Sequence, residues 1–185
     1  DLFEQGPAVY IPYMLLLILL TAILYGIIPL IIAMVRKKKI TKNSIDIQLI
    51  QKEFQSVGDF DRGYGLQCVD LTKWFINDHT TLQYARGNGC DQAGNVAKTN
   101  GLPAPTSTPQ GISVFSVQPY VKAFGASGGK YGHTGIVLSV DDKNKTVTVI
   151  HTWNGLEKHS LNSVISTYSY PVNGVYFTNI EEYLK

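Results

Sequence analysis

Charge is scarce in this chain of 185 residues. Asp, Glu, Lys and Arg make up 16% of it, where about 25% is usual for a soluble domain. The shortage is local, because no charged residue lies between Ala8 and Val35. That gap excludes a plain soluble single domain. A polytopic transporter is excluded as well, since no second apolar run approaches this length. A strong basic excess is missing too. The net charge is +2, but Arg36, Lys37, Lys38, Lys39 and Lys42 supply five of the 16 basic residues. From Asn43 onward, 11 basic residues face 12 acidic ones. A near-neutral domain does not bind nucleic acid by charge, so no nucleic-acid specificity is expected. Cysteine is almost absent, with only Cys68 and Cys90. Neither CxxC nor a His–Cys cluster is available for zinc. No GxxxxGK[ST] pattern supports a nucleotide, and no organic cofactor is implied.

What is present begins with the apolar run 8–35, preceded by a flank at 1–7. Crossing a bilayer core of about 30 Å takes roughly 20 apolar residues in a helix, and this run is long enough to cross with tilt. Tyr10, Tyr13 and Tyr25 suit interfaces, and membrane helices tolerate kinks of the kind Pro12, Gly26 and Pro29 would give. One transmembrane helix is therefore expected. A cleaved signal peptide fits less well, because the positive charge follows the run. Under the positive-inside rule the RKKK flank would leave the rest of the chain in the cytoplasm. The first residue is Asp, which fits a processed or partial chain.

Residues 36–55 read as a basic juxtamembrane linker with a short helix over Thr41–Phe54. A second helix is predicted over Cys68–Asp78, with Val69, Leu71, Trp74, Phe75 and Ile76 for burial. A short helix follows near Asp91–Lys98, and the prolines of Gly101–Pro109 make a loop. Strands are predicted over Ile112–Val117, Thr134–Val140, Thr146–Trp153 and Val172–Phe177. Asp141–Lys145 reads as a hairpin turn between the second and third. Helices first and antiparallel strands later make an α+β domain over 56–185.

Cys68 and Cys90 could form a disulfide, and spacing alone does not decide this. Two features favour a reactive Cys68. It opens a helix, whose first amides would stabilise a thiolate, and it follows a glycine-rich loop that leaves sulfur approachable. A thiol nucleophile needs a base. Of His79, His133, His151 and His159, His133 opens a strand between Gly132 and Gly135. If the hairpin forms, His151 lies at the same end of the next strand, as a base and its orienting partner must. Cys90 is expected to be a structural thiol, and His79 and His159 surface residues. Trp74 and Phe75 are expected in the core, and Trp153 is a candidate for the cleft wall.

The stretches GYGLQCVDLTKWF, YGHTGIVLSV and TVTVIHTWNG together resemble the Cys- and His-dependent amidohydrolase/peptidase (CHAP) family of cell-wall hydrolases. The resemblance covers roughly Val57–Phe177. It implies a papain-like fold in which Cys68 attacks an amide or peptide bond of peptidoglycan and His133 is the base. Gln67 and the Cys68 amide lie where the family stabilises the oxyanion. The departure is at the third residue, where the family usually has Glu. Here His151 takes that position, with Asn154 as the second choice. Related NlpC-type peptidases do use His there. The resemblance leaves open an N-acetylmuramoyl-L-alanine amidase, an endopeptidase or an inactive relative.

The segment GDFDRGYGLQCVD places Asp59, Asp61, Gly63, Gly65 and Asp70 at offsets 1, 3, 5, 7 and 12. These are the ligand offsets of an EF-hand calcium loop, with backbone carbonyls at some positions. Tyr64 stands where that loop has Gly, and Asp70 where it has Glu. Ca2+ is expected here, since some CHAP domains carry calcium beside the nucleophile; a solvated turn is the plainer reading.

Peptidoglycan lies outside the membrane, whereas the RKKK flank votes for the cytoplasm. A phage tail protein of tape-measure or tail-tip type escapes this conflict by entering from outside. The expectation is thus a virion-tail hydrolase that opens the wall and inserts in the host membrane. Its expected partners are peptidoglycan, the lipid bilayer, and other tail proteins or copies of itself. The alternatives are a bacterial surface or conjugation-associated hydrolase, and a structural pore component with a vestigial site.

Overall fold

The computed structural model describes residues 46–152 and 163–185, together with Thr21 and Tyr25. The apolar run and its basic flank otherwise fall outside the described residues, as do Trp153, Asn154 and His159. Among the described residues no helix is long and apolar enough to cross a membrane. The chain divides into two units, Asp1–Ile45 and Asp46–Lys185.

In the second unit, helix α1 spans Ile47–Val57 and starts at Asp46, whose carboxylate accepts from the amides of Gln48 and Leu49. Such a cap satisfies donors that the first helical turn cannot. Helix α2 spans Cys68–His79. Asp70 in its first turn accepts the Gln67 amide at 2.7 Å, closing the helix start. Helix α3 spans Gln92–Asn100 and ends on Gly101 in the left-handed conformation, where glycine costs least. The α1–α2 contact is aromatic, with the rings of Phe54 and Trp74 5.3 Å apart. Trp74 and Phe75 are buried, as expected. His79 departs from its expected place on the surface. Its ring packs edge-on to Trp74 at 4.8 Å and meets Glu53 of α1 at 3.3 Å.

Strands follow as β1 Ser113–Val117, β2 Lys122–Ala123, β3 Ala126–Ser127, β4 His133–Asp141, β5 Thr146–Thr152, β6 Ser163–Ser169 and β7 Val175–Asn179. Five form an antiparallel sheet in the order β6-β5-β4-β1-β7, and β2 pairs with β3. This is the expected α+β arrangement with its β4–β5 hairpin. Two differences stand out. The last strand begins at Val175, because Val172–Gly174 is used in a turn, with the Val175 amide donating to Val172 O. The edge strand β6 was not expected, since its serines and threonine mask the alternation that a half-buried strand shows.

The sheet has two working faces. On one, Phe115, Val117, Val137, Val149 and Phe177 form a core with Phe124 and Tyr170. The other carries the helices. Ser116 takes the Ala93 amide at 2.8 Å, Thr178 donates to Ala93 O, and Thr72 of α2 meets Thr134 of β4 at 3.3 Å.

The β4–β5 register contains a bulge between Val137 and Ser139. Near the turn Val140 pairs with Val147, and beyond the bulge Ile136 pairs with Ile150. That register carries His151 opposite Gly135, on the face that also bears His133. Because side chains alternate along a strand, a shift of one residue would turn His151 to the other face.

Candidate active site

Cys68 sits at the first position of α2, where the sequence places it, and is buried. Two tethers hold the helix start against the sheet. Thr152 of β5 donates to Gln67 O at 3.1 Å, and Thr72 meets Thr134 one turn into the helix. The amides of Thr134, Val69 and Cys68 itself act on the thiol and favour its charged form. Burial outweighs them and pushes the thiol up to about 11. The amides act in the expected direction, but they do not decide the outcome. Desolvation is the larger effect, so Cys68 rests as a neutral thiol.

His133 and His151 are joined, with His133 Nε2 and His151 Nδ1 2.9 Å apart in a buried hydrogen bond. The rings meet edge to face at 4.9 Å, and Phe115 lies against both. Gly135 makes this possible. A Cβ there would stand 2.5 Å from Ile150 O and 2.7 Å from the His151 Cβ. Only a residue without a side chain leaves room for His151 to cross to His133. Burial lowers His133 to about 3, with a contribution from His151, and takes His151 to about 4. Both imidazoles are therefore neutral near pH 7. One donates and the other accepts, which fixes a tautomer for the pair. With Nε2 engaged, the second nitrogen of His133 is Nδ1. Asn154, the second choice for the third position, lies outside the described residues.

The glycines around His133 are close-approach positions. Gly132 has φ +68°, and a Cβ on it would fall 2.3 Å from Val117 O and 2.5 Å from the Cys90 Cβ. Gly89, in the 3-10 turn Gly89–Asp91, lies so near β4 that a Cβ would meet the His133 Cα at 2.8 Å. The sequence reading missed Gly89. The signal was the GNGC run, which can also be read as loop. Cys68 and Cys90 are both free thiols, so no disulfide joins them. Cys90 is partly buried and points to Asp91.

The acidic loop folds against the start of α2. Asp59, Asp61 and Asp70 each place a carboxylate oxygen within 4.8 Å of the others. The Gly63 amide donates to Asp61 at 2.9 Å and the Gly65 amide to Asp59 at 3.0 Å. The two glycines thus meet these carboxylates through nitrogen. Asp70 is fully buried and takes the amides of Asp61 and Gln67; burial raises it above the ordinary carboxylate range. Lys73 was not foreseen. Its buried ammonium pairs with Asp61 and holds that carboxyl below its ordinary value. A hard cation takes several carboxylate and carbonyl oxygens. This all-oxygen donor set fits one. The buried Oδ1 of Asp59, which has no hydrogen-bond partner among the described residues, points the same way.

A cavity of about 880 Å3 opens beside Cys68 and the acidic loop. Cys68, Gln67 and Gly132 line it, with Asp61, Lys73 and Arg86 as its charged members and Phe60, Tyr64, Tyr84 and Tyr131 as its aromatic ones. A thiol at a helix start, a neutral histidine pair at a strand mouth and an adjoining cleft are the parts of a cysteine hydrolase. The chain matches the model of the CHAP domain over residues 57–152, about half its length, and it belongs to that family. Membership makes it a hydrolase of the amidase or peptidase kind, with peptidoglycan as the substrate class. No curated protein matches the chain.

Proposed function

We propose that the chain cleaves an amide or peptide bond of the wall peptide with Cys68 as nucleophile, His133 as base and His151 as its orienting partner. The buried 2.9 Å bond between the two histidines carries this reading. His133 takes the thiol proton as sulfur attacks the scissile carbonyl. The Cys68 amide and Gln67 receive the developing oxyanion. His133 then gives that proton to the leaving amine, and the C–N bond breaks. Water, deprotonated by His133, attacks the thioester, releases the acid and restores the thiol. Because thiol and imidazole both rest neutral, the proton crosses to His133 in the attacking step itself, as sulfur bonds to the carbonyl carbon.

Asp59, Asp61 and Asp70 would hold Ca2+, with the carbonyl oxygens of Gly63 and Gly65 as further ligands. The ion would supply fixed positive charge that locks the loop before Cys68. The apolar run 8–35 and the topology conflict support delivery from outside the cell. The reading is a phage tail protein that opens the wall and inserts in the host membrane.

The test is fragment release from purified Gram-positive peptidoglycan by the full chain, read by mass spectrometry. Cleavage that disappears in Cys68→Ala is the expected result, and the fragment masses name the bond. A folded chain that releases nothing from several wall types would overturn the hydrolytic reading. Calorimetry with Ca2+ that shows no binding would overturn the calcium assignment.

A further inference from the structure

Arg86 is the cationic group of the cleft with no ion-pair partner among the described residues. Three charged side chains line the cavity, and two of them, Asp61 and Lys73, are paired with each other. Arg86 is exposed and makes no ion pair among the described residues. The nearby Asp91 carboxylate accepts the Asn88 amide and the Cys90 thiol.

The segment that carries Arg86 is held in place along its backbone. Asn95 of α3 donates to Arg86 O at 2.8 Å, and Gln92, fully buried, donates to Gly87 O at 3.0 Å. Ala85 is buried on one side. Tyr84 packs edge-on to Phe60 of the acidic loop at 5.7 Å, so this segment and the loop before Cys68 form one wall. A backbone held at two carbonyls and an exposed arginine in the cleft lining make a binding group for an anion. A guanidinium matches a carboxylate in a two-pronged bond.

We propose that Arg86 binds a free carboxylate of the peptide beside the scissile bond, and so sets substrate preference. Peptides with a carboxylate at that position are selected over their carboxamide counterparts. The inference rests on reading the cleft as the peptide-binding site.

The test uses the full chain and three synthetic muramoyl pentapeptides. One carries all its carboxylates free. The second has a carboxamide for the α-carboxylate of its second residue, and the third has a carboxamide at its C-terminus. Binding to Cys68→Ala is measured by calorimetry, which needs no turnover. The free peptide is expected to bind at least about 10-fold more tightly than one of the amidated two, the effect of one charge-assisted hydrogen bond. Cys68→Ala/Arg86→Gln should lose that preference while binding the amidated peptide as before, and Arg86→Lys should keep part of it. Equal affinity for all three peptides, no binding of any, or a preference that survives Arg86→Gln overturns the proposal. Wall-fragment release by the parent chain separates the two claims. Selective binding without release leaves the Arg86 site standing and sinks the hydrolase reading. Release without selectivity does the reverse.

Discussion

Replacing His151 with Phe tests how the histidine pair works. His151 is fully buried against Phe115 and Gly135. A phenyl ring keeps most of the volume but removes the 2.9 Å bond to His133. Losing one partner of a buried hydrogen bond costs about 1–3 kcal/mol. If the whole cost falls on the transition state, kcat/KM drops roughly 5- to 150-fold. A second effect has a definite sign. Burial and His151 together lower His133 to about 3. Without His151 the second cause vanishes, so the His133 value rises. The base must be neutral to accept the thiol proton, so the acidic limb of the kcat/KM profile moves to higher pH. The assay is peptidoglycan solubilisation across pH, with thermal melts to confirm that the variant is folded. A folded His151→Phe with full activity and an unmoved acidic limb would refute the pairing.

Three further outcomes follow from the same geometry. Gly89→Ala forces a Cβ to 2.8 Å from the His133 Cα; it should cost about 1–3 kcal/mol and reduce activity. Gly94→Ala in α3, where nothing lies within 4 Å, should leave both intact or raise the melting temperature; equal melts for the two variants would refute this. Acid should destabilise the fold through both histidines. They are held at about 3 and about 4 against 6.5, so the unfolded chain binds more protons in that window. Stability is then lost as pH falls below about 6.5, by up to about 1.4 kcal/mol per pH unit for each histidine. Urea midpoints that match at pH 7 and pH 5 would contradict it. Lys73→Met removes the ammonium that neutralises Asp61. The variant should melt lower than the parent in chelator, and Ca2+ should raise its melting temperature more than the parent's.

The places of Cys68 and His133 in the fold were legible because glycine, cysteine and histidine stand at element boundaries. A run that turns from Gly-rich to apolar at Cys68 fixes a helix start, and the polar turn between two Val-rich stretches fixes the β4–β5 hairpin. From the hairpin alone, His151 could be set at the same strand end as His133. Three things were not legible. The neutral resting thiol depends on how deeply Cys68 is buried, and burial is a property of the packed sheet rather than of the helix start. Lys73 reaches Asp61 across 12 residues, a contact that no local pattern encodes. The Arg86 segment is ordered by Gln92 and Asn95, whose amide side chains look like ordinary helix polarity in the sequence.

The register of the β4–β5 hairpin has a consequence for inheritance. Deleting Thr148 from β5 would remove none of the proposed catalytic groups. Cys68, His133 and His151 would all survive in any comparison of letters. The hairpin would still close, but His151 would face the helices instead of its neighbour. Competence in this domain is therefore stored partly in parity, in whether an even or odd number of residues separates the turn from the strand mouth. A descendant could fall silent by one lost codon and still look intact.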